Sequence, residues 1–444
     1  MSYQEISLRL TQPKSALSAQ DLQTKVVVFM SKIPDKLRIV VIAPSLDGND
    51  LSEPEWAYRW VEALSRRADV TCLASSRIGA VPLEEQLPEA RVVTWPEIPF
   101  LYQKLERFNA QAKPGLPLFH GQARRWIKRA LRAGETFDIG HQILPQGMRH
   151  TTPLRKLGFP YVVGPLGGGL KTPKGFEAEV QASKTMGARL REIDDYRLRY
   201  DPLLRSGYAG ADLVLGVAPY VEDRLAPVGI KRFHALPERG YGEFAPEHER
   251  QAEVGKLTLF HAGRTIRTKG LRDAVRAMAR LRDLPNVQLI SAGDGEDLEN
   301  CKAEAESLGV ADRITFLGKI PREEVEDYYA SSDVFCFPSF REPMGGVFFE
   351  AMAHGLPIVT AANGGPDFLI DETAGIRVPV TTPEAFADGI ADAVRKLAMD
   401  PALRLKLGQG SRERLRSFGS WDDKAELMLD FYRDIIARRA EGAV

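Results

Sequence analysis

The chain has 444 residues, 44% hydrophobic and 27% charged, a soluble globular composition long enough to divide into two cores. Lys+Arg and Asp+Glu both number 60, so bulk charge offers no general attraction to nucleic acid. The three cysteines, Cys72, Cys301 and Cys336, are far apart and give neither a disulfide framework nor a zinc-ligand spacing, which fits a reducing compartment.

Residues 1–36 are polar and predict a loose tail. Its apolar run KVVVFM, Lys25–Met30, is too short for a membrane span or a signal core. Met30 is a second candidate start, so residues 1–29 are open as to their place in the native protein.

From residue 37 onward, apolar β-rich runs alternate with helical periodicity. The expected strands are 38–43, 69–74, 90–95, 138–143, 160–164 and 212–217, then 256–262, 287–293, 313–318, 333–338 and 356–360. They are apolar throughout rather than alternating, as in parallel sheets covered by helices on both faces. Intervening stretches such as 53–67 and 269–283 read as helices, so the pattern is a series of βαβ units. It lapses over about 231–255, a charged stretch with Pro and Gly, which reads as a linker. The fold class is therefore α/β: two Rossmann-like, doubly wound domains, 37–240 and 241–419, facing a cleft. A closing amphipathic helix, 420–444, is expected to pack back toward the first domain.

Chemistry concentrates in the second half. In FREPMGGVFFEAMAHG, Phe340–Gly355, a strand ends and a helix opens at Gly345–Gly346, with Glu342 just before it and Glu350 about one turn in. The first N–H groups of a helix lack internal partners and carry partial positive charge, and glycines let a phosphate approach them. Acids beside such a tip suit hydroxyl groups rather than the phosphate itself. The plainer alternative is a dipole-complementing carboxylate and a solvated glutamate. Upstream, FHAGRTIRTKG, Phe260–Gly270, places Arg264 and Lys269 at a strand-to-helix junction, where two cations suit a diphosphate. Solvated loop cations are the alternative. The chain holds no D-x-D triplet, and a helix end with cations can neutralise a leaving diphosphate without a metal.

These segments, together with AGDGED at 292–297 and the run 317–339, occur in an order that resembles the retaining GT-B glycosyltransferases of family 4, densely over about 257–370. The resemblance implies sugar transfer from a nucleotide-diphosphate sugar to an acceptor hydroxyl of a polysaccharide, lipid-linked sugar, glycerolipid or small molecule. It implies no cofactor, no metal and no nucleic-acid partner, in a cytoplasmic enzyme of carbohydrate biosynthesis. Arg264 and Lys269 would hold the diphosphate, and the backbone at Gly345, Gly346 and Val347 a phosphate or the sugar. Glu342 would bind sugar hydroxyls, Glu350 the ribose, and the backbone at Lys319 and Ile320 the base. In the first half, FDIGHQILPQG aligns His141 with a histidine that approaches the donor sugar, but Ile143 replaces the second histidine of that motif. Gly48, and Gly167 and Gly168 in VGPLGGGLKTP, mark acceptor-side loops, although the first lacks the family's usual Gly-Gly pair. A sugar-nucleotide epimerase of the same shape and a non-catalytic scaffold stay open as alternatives. The segment 122–134 gathers Arg124, Arg125, Lys128, Arg129 and Arg132 opposite Trp126, Ile127, Ala130 and Leu131. It is either a core-packed surface helix or a peripheral membrane contact.

Overall fold

The computed structural model describes residues 34, 36–50, 52–100, 113–181, 186–246 and 253–442; the polar segment expected as a tail lies almost wholly outside them. Among the described residues, thirteen strands form two parallel sheets. The first contains β1 (Arg38–Ile42), β2 (Asp69–Ser76), β3 (Arg91–Pro96), β4 (Ile139–Gln142), β5 (Tyr161–Leu166), β6 (Leu213–Gly216) and β7 (Phe233–Ala235), in the order β3-β2-β1-β4-β5-β6-β7. The second contains β8 (Leu257–Ala262), β9 (Val287–Ala292), β10 (Ile314–Gly318), β11 (Val334–Phe337), β12 (Ile358–Ala361) and β13 (Gly375–Val378), in the order β10-β9-β8-β11-β12-β13. Both sheets are therefore doubly wound, with the winding direction reversing between β1 and β4 and between β8 and β11. The crevice beyond the strand ends at such a reversal is where open α/β sheets bind ligands.

The central strands are buried along nearly their whole length, which is why they read as unbroken apolar runs. β7 and β13 fall outside the expected strands. Each is an edge strand with solvent-facing positions, so neither carries an apolar run, and β7 lies inside the stretch read as a linker.

The helices that position the site are α1 (Glu53–Ser65), α2 (Leu116–Arg132), α3 (Met186–Tyr200), α4 (Tyr220–Leu225), α5 (Leu271–Ala279), α6 (Gly346–Ala353) and α7 (Trp421–Ala440). α7 packs back onto the first unit. Met428, Leu429, Phe431, Tyr432 and Ile435 are buried with Trp60, Val61 and Leu64 of α1. At roughly 2 kcal/mol per buried side chain, those five contribute on the order of 10 kcal/mol before ordering entropy is subtracted. A capping box between Ser420 and Asp423 starts α7, and Asp422 accepts hydrogen bonds from Arg66 and Arg67, both at 2.9 Å. α2 turns Ile127 and Ala130 into the core and leaves Arg125, Lys128, Arg129 and Arg132 exposed, so its apolar side is covered by protein.

One segment of the first half packs with the second unit. Phe176 is fully buried in the second unit's core, 4.3 Å centroid to centroid from Phe340. Glu179 accepts a 2.6 Å bond from Arg267 and a 3.0 Å bond from Arg276. Residues 174–181 thus strap the two units together.

Candidate active site

The second-unit wall of the cleft starts where β8 ends. Gly263 turns the chain, and Arg264 follows, exposed and without an ion pair among the described residues. A 3-10 turn, Arg267–Lys269, closes on Gly270. Gly270 has φ +80°, and a Cβ there would lie 2.1 Å from the Pro338 carbonyl oxygen; only glycine lets this turn sit against the end of β11. Arg267, on the same turn, faces inward. It donates to Asp273 and Glu179 and stacks over Phe176 and Phe340. It anchors the turn, while Lys269 is left at the cleft, where it forms an ion pair with Glu342 and lies 5.7 Å from the Phe337 ring centroid.

The loop after β11 carries Glu342 to this lysine. Its side chain is buried, 8% exposed, and Gly365 N–H donates to the Glu342 backbone carbonyl at 2.9 Å. Gly345 then adopts φ +92°; a Cβ would meet the Phe348 ring at 2.7 Å and Glu342 Cγ at 3.0 Å. α6 begins immediately afterward, with no side-chain cap and no acid in its first turn, so its first amides and the positive end of its dipole are left for a ligand. Gly346 and Val347 are half-buried at this tip. Glu350 accepts a hydrogen bond from the Tyr329 hydroxyl at 3.1 Å and lies 3.9 Å from Arg322. Burial raises its carboxyl above the ordinary glutamate range, the expected result for an acid at the floor of a cleft. Lys319 and Ile320 follow β10, the first exposed and the second half-buried.

The first unit adds groups that sequence reasoning missed. A Cβ built on Gly346 would come within 3.1 Å of Arg239 Nε, so this guanidinium sits over the tip of α6 as a third cation. Next to it, Glu238 is buried with Oε2 unpartnered among the described residues, and desolvation pushes its carboxyl up to about 7. Both belong to LPERGYGE, whose Pro, Gly and charges read as linker. The only legible hint was an arginine at an interdomain crossing. Gly167 pairs with Gln146, its N–H donating to that carbonyl at 3.0 Å, and Gly168 neighbours Tyr220 at the start of α4. From the same loop, Leu170 packs on Gly364, and Thr172 accepts from Arg341 at 3.0 Å, so this glycine loop does face the second unit. Gly48 does not form an open loop: its N–H donates to Gln86 Oε1 at 2.8 Å, and Tyr58 covers its α-carbon.

His141 is the expected site residue that the structure places away from the cleft. It is fully buried; Nε2 lies 2.8 Å from the Gly164 carbonyl and Nδ1 2.6 Å from the Tyr432 hydroxyl. A carbonyl only accepts, so Nε2 carries the proton and Tyr432 donates to Nδ1. Desolvation holds this imidazole at about 4, and its contacts pin α7 to β4. It has no free nitrogen for a sugar.

Beyond the ends of β1, β3 and β4, the first unit has a cavity of about 260 Å³ lined by Ser45, Trp95, Phe119, Gln122, Arg125 and Leu144. Two aromatic rings with a cation and an amide at the rim suit a sugar-like or similarly amphipathic molecule. Among the described residues, no group of three or more His, Cys, Asp or Glu side chains gathers as a metal site would require.

Two doubly wound units with a cationic, helix-tipped cleft define the GT-B class, and comparison with known proteins agrees. Residues 245–414 match the family model for glycosyl transferases group 1. The chain is 27% identical over 256 residues to the lipopolysaccharide core biosynthesis glycosyltransferase LpsE of Rhizobium meliloti, covering 56% of this chain and 70% of that protein. It is 30% identical over 269 residues to the D-inositol 3-phosphate glycosyltransferase of Xylanimonas cellulosilytica, covering 60% of each. The chain thus spans about two thirds of the length of these curated relatives. Among solved structures, Anabaena HepE in complex with UDP superposes with a TM-score of 0.60 at 15% identity, covering 89% of this chain and 99% of that one, a likeness of fold.

Proposed function

We propose that the protein is a retaining glycosyltransferase that moves a sugar from a nucleotide-diphosphate donor to an acceptor hydroxyl without a metal. The observation that carries this reading is the uncapped first turn of α6, with Arg239 over its tip, Lys269 paired to Glu342 just before it and Glu350 about one turn in; Arg264, exposed on the loop before Lys269, would add a further cation. Cations and helix amides aimed at one point stabilise a departing diphosphate, whose charge grows as the glycosidic bond breaks. Glu342 and Glu350 accept hydrogen bonds from hydroxyls of the sugar and the ribose, and the backbone at Lys319–Ile320 borders the base. The donor's anomeric carbon–oxygen bond breaks as the acceptor oxygen bonds the same face of that carbon. The acceptor proton passes to the departing phosphate oxygen, so the step needs no protein nucleophile. The relatives' names support the sugar-transfer part of this reading: one is a lipopolysaccharide core biosynthesis glycosyltransferase, another a D-inositol 3-phosphate glycosyltransferase, and the superposed HepE structure is a complex with UDP.

The test is thermal stabilisation by UDP-, GDP- and ADP-sugars, followed by transfer assays with the stabilising donor and NMR of the product anomer. Stabilisation by one donor and transfer with retained configuration are expected. Epimerisation of the donor without an acceptor, or no stabilisation by any of the three, would overturn the reading.

A further inference from the structure

A second cavity in the first unit, about 230 Å³, lies against the N-terminal end of α2 and takes no part in the chemistry above. Lys113, His120, Arg149, His150, Asp194 and Arg197 line it. Three side chains with full positive charge and two imidazoles thus face one carboxylate. His120 is only 8% exposed, and its Nε2 has no partner among the described residues. α2 adds to the positive field. It runs 17 residues, has no acid in its first turn, and starts from Gly115, which offers no side-chain cap. Its first two residues, Leu116 and Pro117, also line this cavity, so the positive end of its dipole faces the same space.

Each cation is held by one carboxylate partner, which fixes its geometry. Asp194 pairs with Arg149 at 2.8 Å, and Glu53 with Lys113 at 3.0 Å. Asp201 holds Arg197, which also donates to the Arg149 carbonyl at 2.8 Å. Glu53 and Asp201 sit behind their partners, outside the cavity lining. Burial, first, and then the neighbouring Lys113, Arg149 and Arg197 keep His150 unprotonated down to about 3; burial keeps His120 unprotonated to about 4. A relay of ion pairs leads from the cavity wall toward the glycine loop. Asp195, beside Asp194 on α3, pairs with Lys171 at 3.1 Å and with Arg224, and Lys171 belongs to the glycine loop that contacts the second unit.

We propose that this cavity is an anion subsite that binds a phosphoryl group, with Lys113, His120, Arg149, His150 and Arg197 as its donors. Donors converging from several directions match a tetrahedral dianion. Resting on the proposed transfer reaction, the subsite defines its acceptors as phosphorylated compounds held beside the cleft.

The test is a titration of the full chain with inorganic sulfate and phosphate, followed by histidine side-chain NMR. Sulfate keeps its charge between pH 5 and 8, so any pH dependence reports on the protein. Saturable shifts at His120 and His150 are expected, with sulfate affinity changing little between pH 6 and pH 8, because both imidazoles stay neutral across that range and donate through N–H groups. Lys113→Ala, a partly exposed position, and His120→Gln should each weaken sulfate about fivefold or more. Unsaturable shifts, or variants that bind like wild type, would overturn the proposal. Nucleotide-sugar stabilisation measured on the same samples separates the two readings: its loss in wild type refutes the transferase assignment and leaves the anion site standing. In wild-type assays, inorganic phosphate that raises KM for a phosphorylated acceptor at constant kcat, with no effect on a neutral one, places the group on the acceptor. Phosphate that changes turnover of a neutral acceptor makes it a free effector of the same subsite.

Discussion

On the second-unit wall of the cleft, ligand-facing charges sit at the reversal point of the sheet on short, rigid connections: one 3-10 turn, one glycine, and the first turn of α6. On the first-unit wall the connections are longer, and the cavities are lined by residues from separate segments, such as Ser45, Trp95 and Phe119. The difference shows how such a molecule divides its work. On the proposed reading, a diphosphate, the same in every donor, is met by a few short rigid segments at strand ends, with Arg239 added from the other unit. An acceptor, which varies, would be met by side chains brought together only by folding.

That contrast can be broken by substitution. Lys269→Ala should have the largest effect: kcat/KM falls about 100- to 1,000-fold, the size expected for losing one donor to a developing charge, while the chain stays folded but melts lower without donor, because Glu342 loses its buried partner. An equal loss from a distant surface lysine would contradict it. Glu350→Ala should weaken donor binding about tenfold or more, the size of a charge-assisted hydrogen bond, read as lost nucleotide-sugar stabilisation. On the other wall, Trp95→Ala should raise acceptor KM up to about tenfold, in line with one aromatic contact, and leave donor binding unchanged. A change in donor affinity would mean the walls are not separable in this way.

Acid stability gives a smaller contrast. Burial lowers His120, His141, His150, His234 and His261 below the ordinary imidazole range. Between their folded values, about 3 to 4 where resolved, and the unfolded value of about 6.5, the unfolded chain binds more protons. Their contribution is full above about 6.5 and is lost as pH falls toward 4. Only His261 belongs to the second sheet, so amide exchange at pH 5 should open the first unit before the second. Opening in the reverse order would contradict this.

Legibility in the sequence follows the same division. The central strands and the Arg264–Lys269 and Glu342–Glu350 segments were readable because burial on both faces, and the need for a tight turn at a strand end, leave local signatures. Edge strands β7 and β13 were not, since half-exposed residues carry no unbroken apolar run. Arg239 was invisible because its partner, the tip of α6, is more than a hundred residues away. His141 looked like a site residue because a polar side chain at a strand end reads the same whether it faces a cleft or a buried tyrosine on α7. Phe176 and Glu179, which tie the first half to the second core, carry no sign of their destination in their own segment.

The most direct measurement is a crystal structure with the nucleoside diphosphate that stabilises the protein best. The account predicts its diphosphate at the first amides of α6, within hydrogen-bonding distance of Arg264 and Lys269, with the ribose on Glu350. A diphosphate bound elsewhere, or a ribose turned away from Glu350 toward solvent, would contradict it.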